Sequence, residues 1–204
     1  MTKPSAKPWD ERYGSDEFFY GTEPNDFLRE QAGEIPAGGE VLCLAEGEGR
    51  NAVFLARRGH RITAVDQSAV GLDKAKKLAA AHGVTIDIVV ADLGEYVIAP
   101  NRWSGIVSIW CHLPGALRRR VHAQIVEGLA PGGVLIFEAY TPDQIPRGTG
   151  GPKDADLLSR VDELNRAFAG LQIVRAEEIE REVREGRGHG GMSSVVRVVA
   201  RKKI

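Results

Sequence analysis

The chain has 204 residues, of which 43% are hydrophobic and 27% charged, and its formal net charge is −1. A chain of this length can bury a full core, and this composition is that of an ordinary globular protein. The balanced charge argues against general binding of nucleic acid, which normally requires a basic surface. The run Arg118-Arg119-Arg120 is interpreted as the solvated face of a helix. We therefore expect a small-molecule partner and no nucleic-acid partner.

The two cysteines, Cys43 and Cys111, lie in apolar segments and do not form a CxxC pair. No disulfide framework and no metal site are therefore expected. The first residues lack the apolar region of a signal peptide, and no window approaches the roughly 18 apolar residues of a membrane span. We expect a cytoplasmic protein without membrane association, and a monomer or weak homodimer.

The N-terminal segment is predicted to differ from the rest of the chain. Residues 1–8 are expected to form a disordered tail. Residues 9–36 include a short helix at about 27–32. They also carry a high density of aromatic side chains, namely Trp9, Tyr13, Phe18, Phe19 and Tyr20. We predict a single domain over residues 9–204, with residues 9–36 as a lid segment.

From residue 40 onward, apolar strands alternate with helices. The predicted strands cover residues 40–45, 61–66, 84–92, 104–110 and 132–140. The predicted helices cover residues 50–59 and 68–83, the second with Ser68 as its N-cap, and a third helix begins at Pro114. This alternation predicts an α/β protein with a doubly wound sheet.

The C-terminal part departs from this alternation. We predict a helix over residues 154–170. Two long extended segments, residues 172–185 and 193–202, flank the glycine-rich stretch 186–191 and predict an antiparallel hairpin. His189 lies between glycines in this turn, and its side chain is expected to be exposed to solvent.

The first strand-to-helix turn, AEGEGRNA at residues 45–52, is the strongest candidate for a binding site. In a doubly wound sheet, ligands bind outside the carboxyl ends of the strands. Gly47, Gly49 and Ala52 fit the spacing of a dinucleotide-binding loop. Asp66 ends the second predicted strand, where a carboxylate can hold ribose hydroxyls. The spacing indicates a nucleoside ligand, which is either a dinucleotide or S-adenosylmethionine.

The two glutamates of this turn favour S-adenosylmethionine. A carboxylate at Glu46 would lie near the N-terminus of the helix, where a pyrophosphate would have to bind. Two like charges about 4 Å apart repel each other by on the order of 4 kcal/mol at an effective dielectric constant near 20. A sulfonium or ammonium group would instead be attracted. For Glu48, exposure to solvent is the open alternative.

From about residue 9 to residue 202, the sequence resembles class I S-adenosylmethionine-dependent methyltransferases, in particular the tellurite-resistance and thiopurine-methyltransferase-like group. The resemblance is carried by VLCLAEGEGRNAVFLARRGH, TAVDQSAVGLDKAK, ADL and LAPGGVLIFE, preceded by WDERYG and FFYGTEPNDFL. It implies a Rossmann-like seven-stranded sheet of order 3-2-1-4-5-7-6 with strand 7 antiparallel. It also implies methyl transfer from S-adenosylmethionine, with S-adenosylhomocysteine as product, to a small nucleophile such as a thiol or a chalcogen oxyanion.

The resemblance assigns roles to individual residues. Gly47 and Gly49 match positions where the backbone passes the methionine and ribose of the donor, and Asp66 matches the residue that holds the ribose hydroxyls. Gln67 matches the position against the adenine edge, and Asp92 the acceptor of a hydrogen bond from the adenine amino group. The implied donor-binding set is Glu46, Gly47, Gly49, Arg50, Asn51, Asp66, Gln67, Asp92, Leu93 and Ser108.

The sequence departs from the family pattern at the first strand. The family usually has an acidic residue where Cys43 stands, a glycine where Ala45 stands and a cysteine-like residue where Glu46 stands. We infer that Glu46 holds the amino group of the donor in place of the missing acid.

Few residues are candidates for the transfer step. Methyl transfer requires alignment of acceptor, methyl and sulfur and exclusion of water, and a hydroxyl acceptor also requires a base. His112, after the fourth strand, is a candidate base or acceptor-orienting group, with helix capping as its alternative. Tyr140, just past the fifth strand, is expected to face the acceptor. Cys111 is expected to be a buried filler.

Other residues have two open interpretations. Arg50 contacts an anionic acceptor or the donor carboxylate, or it forms a surface salt bridge. Tyr20 and Trp9 form part of a lid over the donor, or only pack on the sheet. The glycine-rich stretch 147–154 is either an acceptor loop, with Arg147 and Lys153 as anion contacts, or a flexible connection.

Two other functions compete with methyl transfer. A nicotinamide-dependent oxidoreductase is disfavoured, because no second half-sheet and no Tyr-x-x-x-Lys motif is found. A protein that binds the donor or its product without catalysis remains open, because this chemistry has no obligatory catalytic residue.

Overall fold

The computed structural model of the protein describes residues 7–204. Within this range the α-helices are α1 Lys7–Tyr13, α2 Asp26–Gln31, α3 Arg50–Arg57, α4 Ala69–Ala81, α5 Gly115–Gly128 and α6 Val161–Ala167. The strands are β1 Glu40–Leu44, β2 Arg61–Asp66, β3 Asp87–Val90, β4 Trp103–Ile109, β5 Leu129–Tyr140, β6 Gln172–Glu185 and β7 His189–Arg201. Short 3₁₀ turns cover Ala32–Glu34, Pro142–Arg147 and Ala155–Leu157.

The strands form one seven-stranded sheet of order β3-β2-β1-β4-β5-β7-β6. Strands β1 to β5 are mutually parallel where they pair, and β7 is antiparallel to both β5 and β6. The α/β class, the doubly wound architecture and the strand order implied by the resemblance are thereby confirmed. Because the first five strands are parallel, their carboxyl ends meet at one edge of the sheet, where a ligand is expected.

Helices cover both faces of the sheet. In β1, Val41 and Cys43 belong to the core cluster under α2, α3 and α4, whereas Leu42 and Leu44 belong to the cluster under α5 and α6. This alternation follows from the two-residue period of a strand. Full burial of a leucine-sized side chain contributes about 1.5–3 kcal/mol. Cys43, at the position where the family usually has an acidic residue, is fully buried in this core.

Most predicted elements are confirmed, with differences at their ends. The helix α4 begins after Ser68, whose hydroxyl accepts a hydrogen bond from the N–H of Gly71 at 3.0 Å. Strand β3 is shorter than predicted, at Asp87–Val90. Helix α1 begins at Lys7, so residues 7 and 8 are helical and only residues 1–6 of the predicted tail lie outside the described residues.

The predicted helix over residues 154–170 is wrong in its first half. Residues 158–160 are extended, and the Ser159 N–H donates to the Tyr140 carbonyl at 3.2 Å. This tertiary hydrogen bond competes with the helical periodicity, and α6 begins only at Val161. The exposure predicted for the arginine run is wrong for Arg118, which is buried and pairs with Glu163 at 2.9 Å.

None of the helices in residues 7–204 combines the length and the apolar character that crossing a membrane requires.

Candidate functional site

The turn between β1 and α3 adopts a backbone that few side chains tolerate. Ala45, Gly47 and Gly49 have φ values of 51°, 60° and 90°. A Cβ at Gly49 would overlap the Cβ of Ala75, so glycine is required here for α3 to begin against α4. At Ala45 the left-handed conformation is disfavoured by roughly 1–2 kcal/mol, where the family has a glycine. The segment is thus held in a strained conformation at the carboxyl edge of the sheet.

Glu46 turns its carboxylate towards the first turn of α3. Its Oε1 accepts a hydrogen bond from the N–H of Ala52 at 2.8 Å, and the side chain is buried. Burial raises the pKa of Glu46 to about 7, although hydrogen bonds from the α3 backbone and the charge of Arg50 act in the opposite direction. A buried carboxylate with so high a pKa gains free energy from a cationic partner.

Asp66 lies beside this turn, at the end of β2. Its Oδ2 accepts from the N–H of Gly47 at 2.9 Å and its Oδ1 from the N–H of Ser68 at 2.8 Å. Burial raises the pKa of Asp66 despite these two hydrogen bonds. The structure therefore brings the glycine turn and Asp66 together as the sequence predicts. Gln67 follows at a half-buried position.

The next predicted residues lie along the same edge. Asp92 follows β3, is half-buried, and accepts from the N–H of Gly94 at 2.7 Å. Leu93 is buried, as is Ser108 near the end of β4. Cys111 is buried as expected, and burial raises the pKa of its thiol to about 12, so it is no nucleophile.

The sequence did not identify Tyr13, which lies over the glycine turn. A Cβ at Gly47 would lie 2.7 Å from the Tyr13 hydroxyl, and a Cβ at Gly71 would lie 2.8 Å from its ring. Tyr13 is buried, and burial raises the pKa of its hydroxyl. Asp10, also on α1, accepts a hydrogen bond from the Ser68 hydroxyl at 2.6 Å. The only signal in the sequence was the aromatic density of residues 9–36.

Glu48 joins the N-terminal segment to the glycine turn, and the alternative interpretation of Glu48 as exposed to solvent is wrong. It is buried, and its Oε2 accepts from the N–H of Phe19 at 2.7 Å. Its Oε1 lies 2.5 Å from Lys74 Nζ, and Lys74 also donates to the carbonyls of Ser15 and Glu17 at 2.8 and 2.7 Å. We use the term cover for residues 7–25.

Arg50 and Asn51 are also joined to the cover. The guanidinium of Arg50 lies 2.5 Å from Glu185, at the end of β6, and the Asn51 side chain accepts from the N–H of Asn25 at 2.9 Å. Asn25 in turn donates to Glu185 at 2.8 Å. Arg50 thus makes a buried ion pair rather than the surface pair considered from the sequence.

Glu185 also reaches the end of β4. Its Oε2 accepts from the indole N–H of Trp110 at 2.5 Å. Burial alone would raise the pKa of Glu185, but contacts with His189 and Arg50 outweigh it and hold the pKa below its usual range. An ionised buried carboxylate therefore joins α3, β4, the hairpin and the cover.

Five aromatic rings form a cluster beyond the ends of β4 and β5, which we call the aromatic cluster: Tyr20, Trp110, His112, Tyr140 and His189. The Trp110 and Tyr140 rings stack with their centroids 4.3 Å apart, and His112 stacks on Tyr140 at 5.6 Å. His189 lies edge-on to Trp110 and Tyr140 at 5.0 and 5.3 Å. The predicted exposure of His189 is wrong, since its side chain is buried.

Trp110 has an unusual backbone, with φ at 56°. A bulky residue in this region is a conformational outlier. Its hydrogen bond to Glu185 and its stacking on Tyr140 hold it there. Backbone strain of this kind persists where the surroundings fix a side chain in one position.

His112 and Tyr140 each present an unpaired polar atom within this cluster. His112 Nδ1 lies 3.2 Å from the Leu157 carbonyl, which can only accept, so Nδ1 carries the proton. His112 Nε2 and the Tyr140 hydroxyl are buried without a hydrogen-bond partner among residues 7–204. Burial lowers the pKa of His112 to about 3 and raises that of Tyr140. Both are therefore neutral groups able to bond a polar ligand.

The glycine-rich stretch 147–154 offers fewer free groups than expected. Arg147 pairs with Glu180 at 2.6 Å, and Lys153 is exposed. The Gln144 side chain donates to the Thr149 hydroxyl at 2.9 Å and fastens this stretch to the 3₁₀ turn before it.

Part of the chain is similar in sequence to known methyltransferases. Residues 41–133 match the sequence profile of a family described as "Methyltransferase domain". A 2-heptyl-1-hydroxyquinolin-4(1H)-one methyltransferase of Mycobacteroides abscessus is 30% identical over 141 residues, covering 63% of this chain and 62% of that protein. A tRNA 5-carboxymethoxyuridine methyltransferase of Escherichia coli K12 is 32% identical over 103 residues, covering 49% of this chain and 40% of that protein. The chain thus aligns with less than two thirds of either relative.

Solved structures share the fold over nearly the whole chain. TehB from Haemophilus influenzae aligns with a TM-score of 0.71 and 19% identity, covering 96% of this chain and 66% of that one. The N-methyltransferase NodS from Bradyrhizobium japonicum, in complex with S-adenosyl-L-homocysteine, aligns with a TM-score of 0.67 and 15% identity, covering 96% and 97%. Residues 41–133 thus match a methyltransferase domain, and the fold of the chain is shared with solved methyltransferase structures.

Proposed function

We propose that the protein transfers a methyl group from S-adenosylmethionine to a small-molecule acceptor. The observation that carries the proposal is the hydrogen bond that Asp66 accepts from the N–H of Gly47. Both residues lie inside the segment that matches the methyltransferase domain. A buried carboxylate beside a glycine turn, at the carboxyl edge of a parallel sheet, suits a ribose. When bound, the donor supplies a methyl group already activated by its sulfonium.

The residues at this edge fit the donor from end to end. Asp66 holds the ribose hydroxyls, and Gly47 and Gly49 let the backbone approach. Asp92, two residues past β3, accepts from the adenine amino group, with Gln67 and Leu93 beside the base. Ser108 closes the site near the end of β4. We call this part of the site the donor side.

Glu46 receives the amino group of the donor in this proposal. Its carboxylate is buried beside the turn, and α3 N–H groups hold it. Its raised pKa, about 7, means that a donor ammonium would ionise it on binding and gain a buried ion pair. The same Glu46 carboxylate accepts a hydrogen bond from the first turn of α3 and would bind the donor amino group. Substitution of Glu46 therefore tests both roles.

The acceptor that fits best is a planar aromatic heterocycle that carries a hydroxyl group. The aromatic cluster provides ring faces, and the unpaired His112 Nε2 and Tyr140 hydroxyl provide hydrogen bonds that orient the polar edge of the acceptor. A relative that is named for methylation of a hydroxyquinolone supports the same class. A thiol or chalcogen oxyanion is less well served, because Arg50 and Arg147 are each engaged by a glutamate. Membership of the tellurite-resistance and thiopurine-methyltransferase-like group stays a prediction.

The donor claim is tested by calorimetric titration with S-adenosylmethionine, S-adenosylhomocysteine and NAD. Micromolar binding of the first two alone is expected, and binding of NAD alone would restore the oxidoreductase hypothesis. Turnover is then measured with 2-heptyl-1-hydroxyquinolin-4(1H)-one, simple phenols, thiols, selenite and tellurite. Donor binding without turnover of any of them would favour a protein that binds the donor without catalysis.

The proposal includes a reducing cytoplasmic setting, supported by two buried free cysteines. It includes no nucleic-acid or membrane partner, and a monomer or weak homodimer. Light scattering after gel filtration tests the oligomeric state.

A further inference from the structure

The tip of the β6–β7 hairpin is packed tightly against the cover. A Cβ at Gly186 would overlap the Phe19 carbonyl, and a Cβ at Gly188 would overlap the Tyr20 ring. Between them, the N–H of Arg187 donates to the Phe19 carbonyl at 2.8 Å. Because these two glycines lack side chains, the tip packs directly against the cover. Any other residue at either position would keep the two segments further apart.

The other side of the tip is held by the loop after β5. The N–H of Gly190 donates to the Thr149 carbonyl at 3.1 Å. A Cβ at Gly150 would lie 3.1 Å from the Tyr140 hydroxyl and 3.2 Å from the His189 ring. The tip is thereby fixed between two segments, and the residue it carries into the aromatic cluster is His189.

His189 has the surroundings of a group that handles a proton. Its Nδ1 is buried without a hydrogen-bond partner among the described residues, and it lies 3.6 Å from Glu185 Oε2. A small shift of the ring would bring this nitrogen within hydrogen-bond distance of the Glu185 carboxylate. Glu185, which is ionised, is close enough to stabilise a positive charge on the ring.

Charged and titratable groups face His189 from several elements. They are Glu185 on β6, Arg50 on α3, Arg12 on α1, Tyr20 of the cover, Tyr140 on β5 and His112 after β4. Burial and the two arginines lower the pKa of His189, whereas Glu185 raises it. The imidazole is therefore neutral near pH 7 and has a carboxylate beside it when a proton arrives.

His112 lacks this arrangement. Its Nδ1 is committed to a backbone carbonyl, and the side chains of His189 and Arg118 both lower the pKa of His112, so no carboxylate of the described residues favours its protonation. With a pKa lowered to about 3, it is a weak proton acceptor that is suited to orienting the substrate.

We propose that His189 takes the proton from the acceptor hydroxyl during methyl transfer, and that Glu185 stabilises the resulting imidazolium. This inference rests on the proposed function. The acceptor oxygen forms its bond to the methyl carbon as the bond from methyl to sulfur breaks, and the sulfur keeps the electron pair as a neutral thioether. The hydroxyl proton passes to the imidazole and then to solvent, so one proton is released for each methyl group transferred.

The first test is binding to the complex with S-adenosylhomocysteine. The probes are 2-heptyl-1-hydroxyquinolin-4(1H)-one and its 1-methoxy derivative, which cannot give up a proton. We expect the native protein to bind the hydroxyl probe at least about tenfold more tightly, and His189→Gln to lose this preference while binding the methoxy probe unchanged. His189→Phe, which keeps a ring in the cluster, is the second variant and is expected to behave in the same way. His112→Gln is the matched control and should weaken the binding of both probes to the same extent.

The second test is the pH dependence of kcat/KM. The native enzyme should lose activity towards acid pH as His189 becomes protonated, and His112→Gln should keep this dependence. In His189→Gln, kcat should fall by about 10²–10⁴-fold with little change in KM, and the acid limb should disappear.

The outcomes separate the two proposals. If neither quinolone nor any other hydroxylated probe binds to the native complex, the proposed acceptor class is wrong and the inference falls with it. If the probes bind but both His189 variants keep the preference for the hydroxyl, or keep the acid limb, only the role of His189 is wrong. Equal weakening of both probes in the His189 variants would assign it to packing and also overturn the inference.

Discussion

The donor side of the proposed site is made largely by neighbouring segments of chain. The proposed acceptor side, by which we mean the aromatic cluster, is assembled from distant ones. Glu46, Gly47 and Asp66 lie within 21 residues. The Asp66 carboxylate accepts a hydrogen bond from the N–H of Gly47, and the Glu46 carboxylate accepts one from the N–H of Ala52. The aromatic cluster instead takes rings from the cover, from the ends of β4 and β5, and from the hairpin tip. A donor common to many enzymes can be held by a local motif. The site of a variable acceptor depends on tertiary packing, which sequence changes can alter piece by piece.

The largest expected effect concerns Glu185, which joins the two sides. Glu185→Ala leaves Arg50 and the Trp110 indole without their buried partner, and should lower the free energy of unfolding by about 3–5 kcal/mol. Urea denaturation measures this effect. The control is Glu182→Ala, which removes an exposed pair with Arg184 and should change stability by less than about 0.5 kcal/mol. If the two sides are built independently, as described above, Glu185→Ala should weaken acceptor binding far more than donor binding. Equal weakening would show that the two sides are not separable.

Glu46→Gln should stabilise the protein while weakening the donor side. The folded-state pKa of about 7 lies above the ordinary value of 4.5, so the folded protein holds the proton more tightly than the unfolded chain. Stability is therefore lost as the pH rises from 4.5 through 7, by roughly 3 kcal/mol in all. Glutamine does not ionise, so the variant should be more stable than the native protein at pH 8 and equal to it near pH 4.5, as measured by urea denaturation.

The same variant should bind S-adenosylmethionine at least about tenfold more weakly at pH 8, because the ammonium loses its buried carboxylate. An unchanged affinity would leave Glu46 as a helix-capping residue only.

Gly188→Ala is expected to disturb the acceptor side alone. The added methyl group overlaps the Tyr20 ring, and overpacking of this kind is destabilising by about 1–3 kcal/mol. Turnover should fall, with donor affinity retained within about twofold. Gly190→Ala is the matched control two residues away, because its Cβ would meet nothing within 4 Å. If both variants show similar turnover, close packing of the hairpin tip is not required for methylation of the acceptor.

Asp66→Ala is the converse experiment on the donor side. It removes the carboxylate proposed to hold the ribose. Binding of S-adenosylmethionine, measured by calorimetry, should weaken at least about tenfold, or 1.4 kcal/mol. Binding of the hydroxyquinolone to the apoprotein should change little. Unchanged donor affinity would mean that the ribose binds elsewhere.

The sequence predicted the elements around the glycine turn because local patterns determine them. The apolar period of the strands, the cap at Ser68 and the glycine spacing all depend on residues close in the chain. Long-range contacts decided the rest. Leu157 and Leu158 fit a helical stripe, yet the chain there pairs with the end of β5 through Ser159. His189 stands between glycines, which usually indicates an exposed turn, and only its packing against the cover and Thr149 buries it. Glu46 and Glu48 look alike in sequence, but one faces α3 and the other Lys74.

Lys74 has a consequence for the order in which ligands bind. Its ammonium joins Glu48 of the glycine turn to the backbone of the cover. If the turn moves when the proposed donor binds, this contact would move the segment that also places Tyr20 in the aromatic cluster. Two sites that bias one movable element influence each other's affinity by the same factor. Donor and acceptor should accordingly bind with mutual cooperativity, with Lys74 as the mechanical link between them.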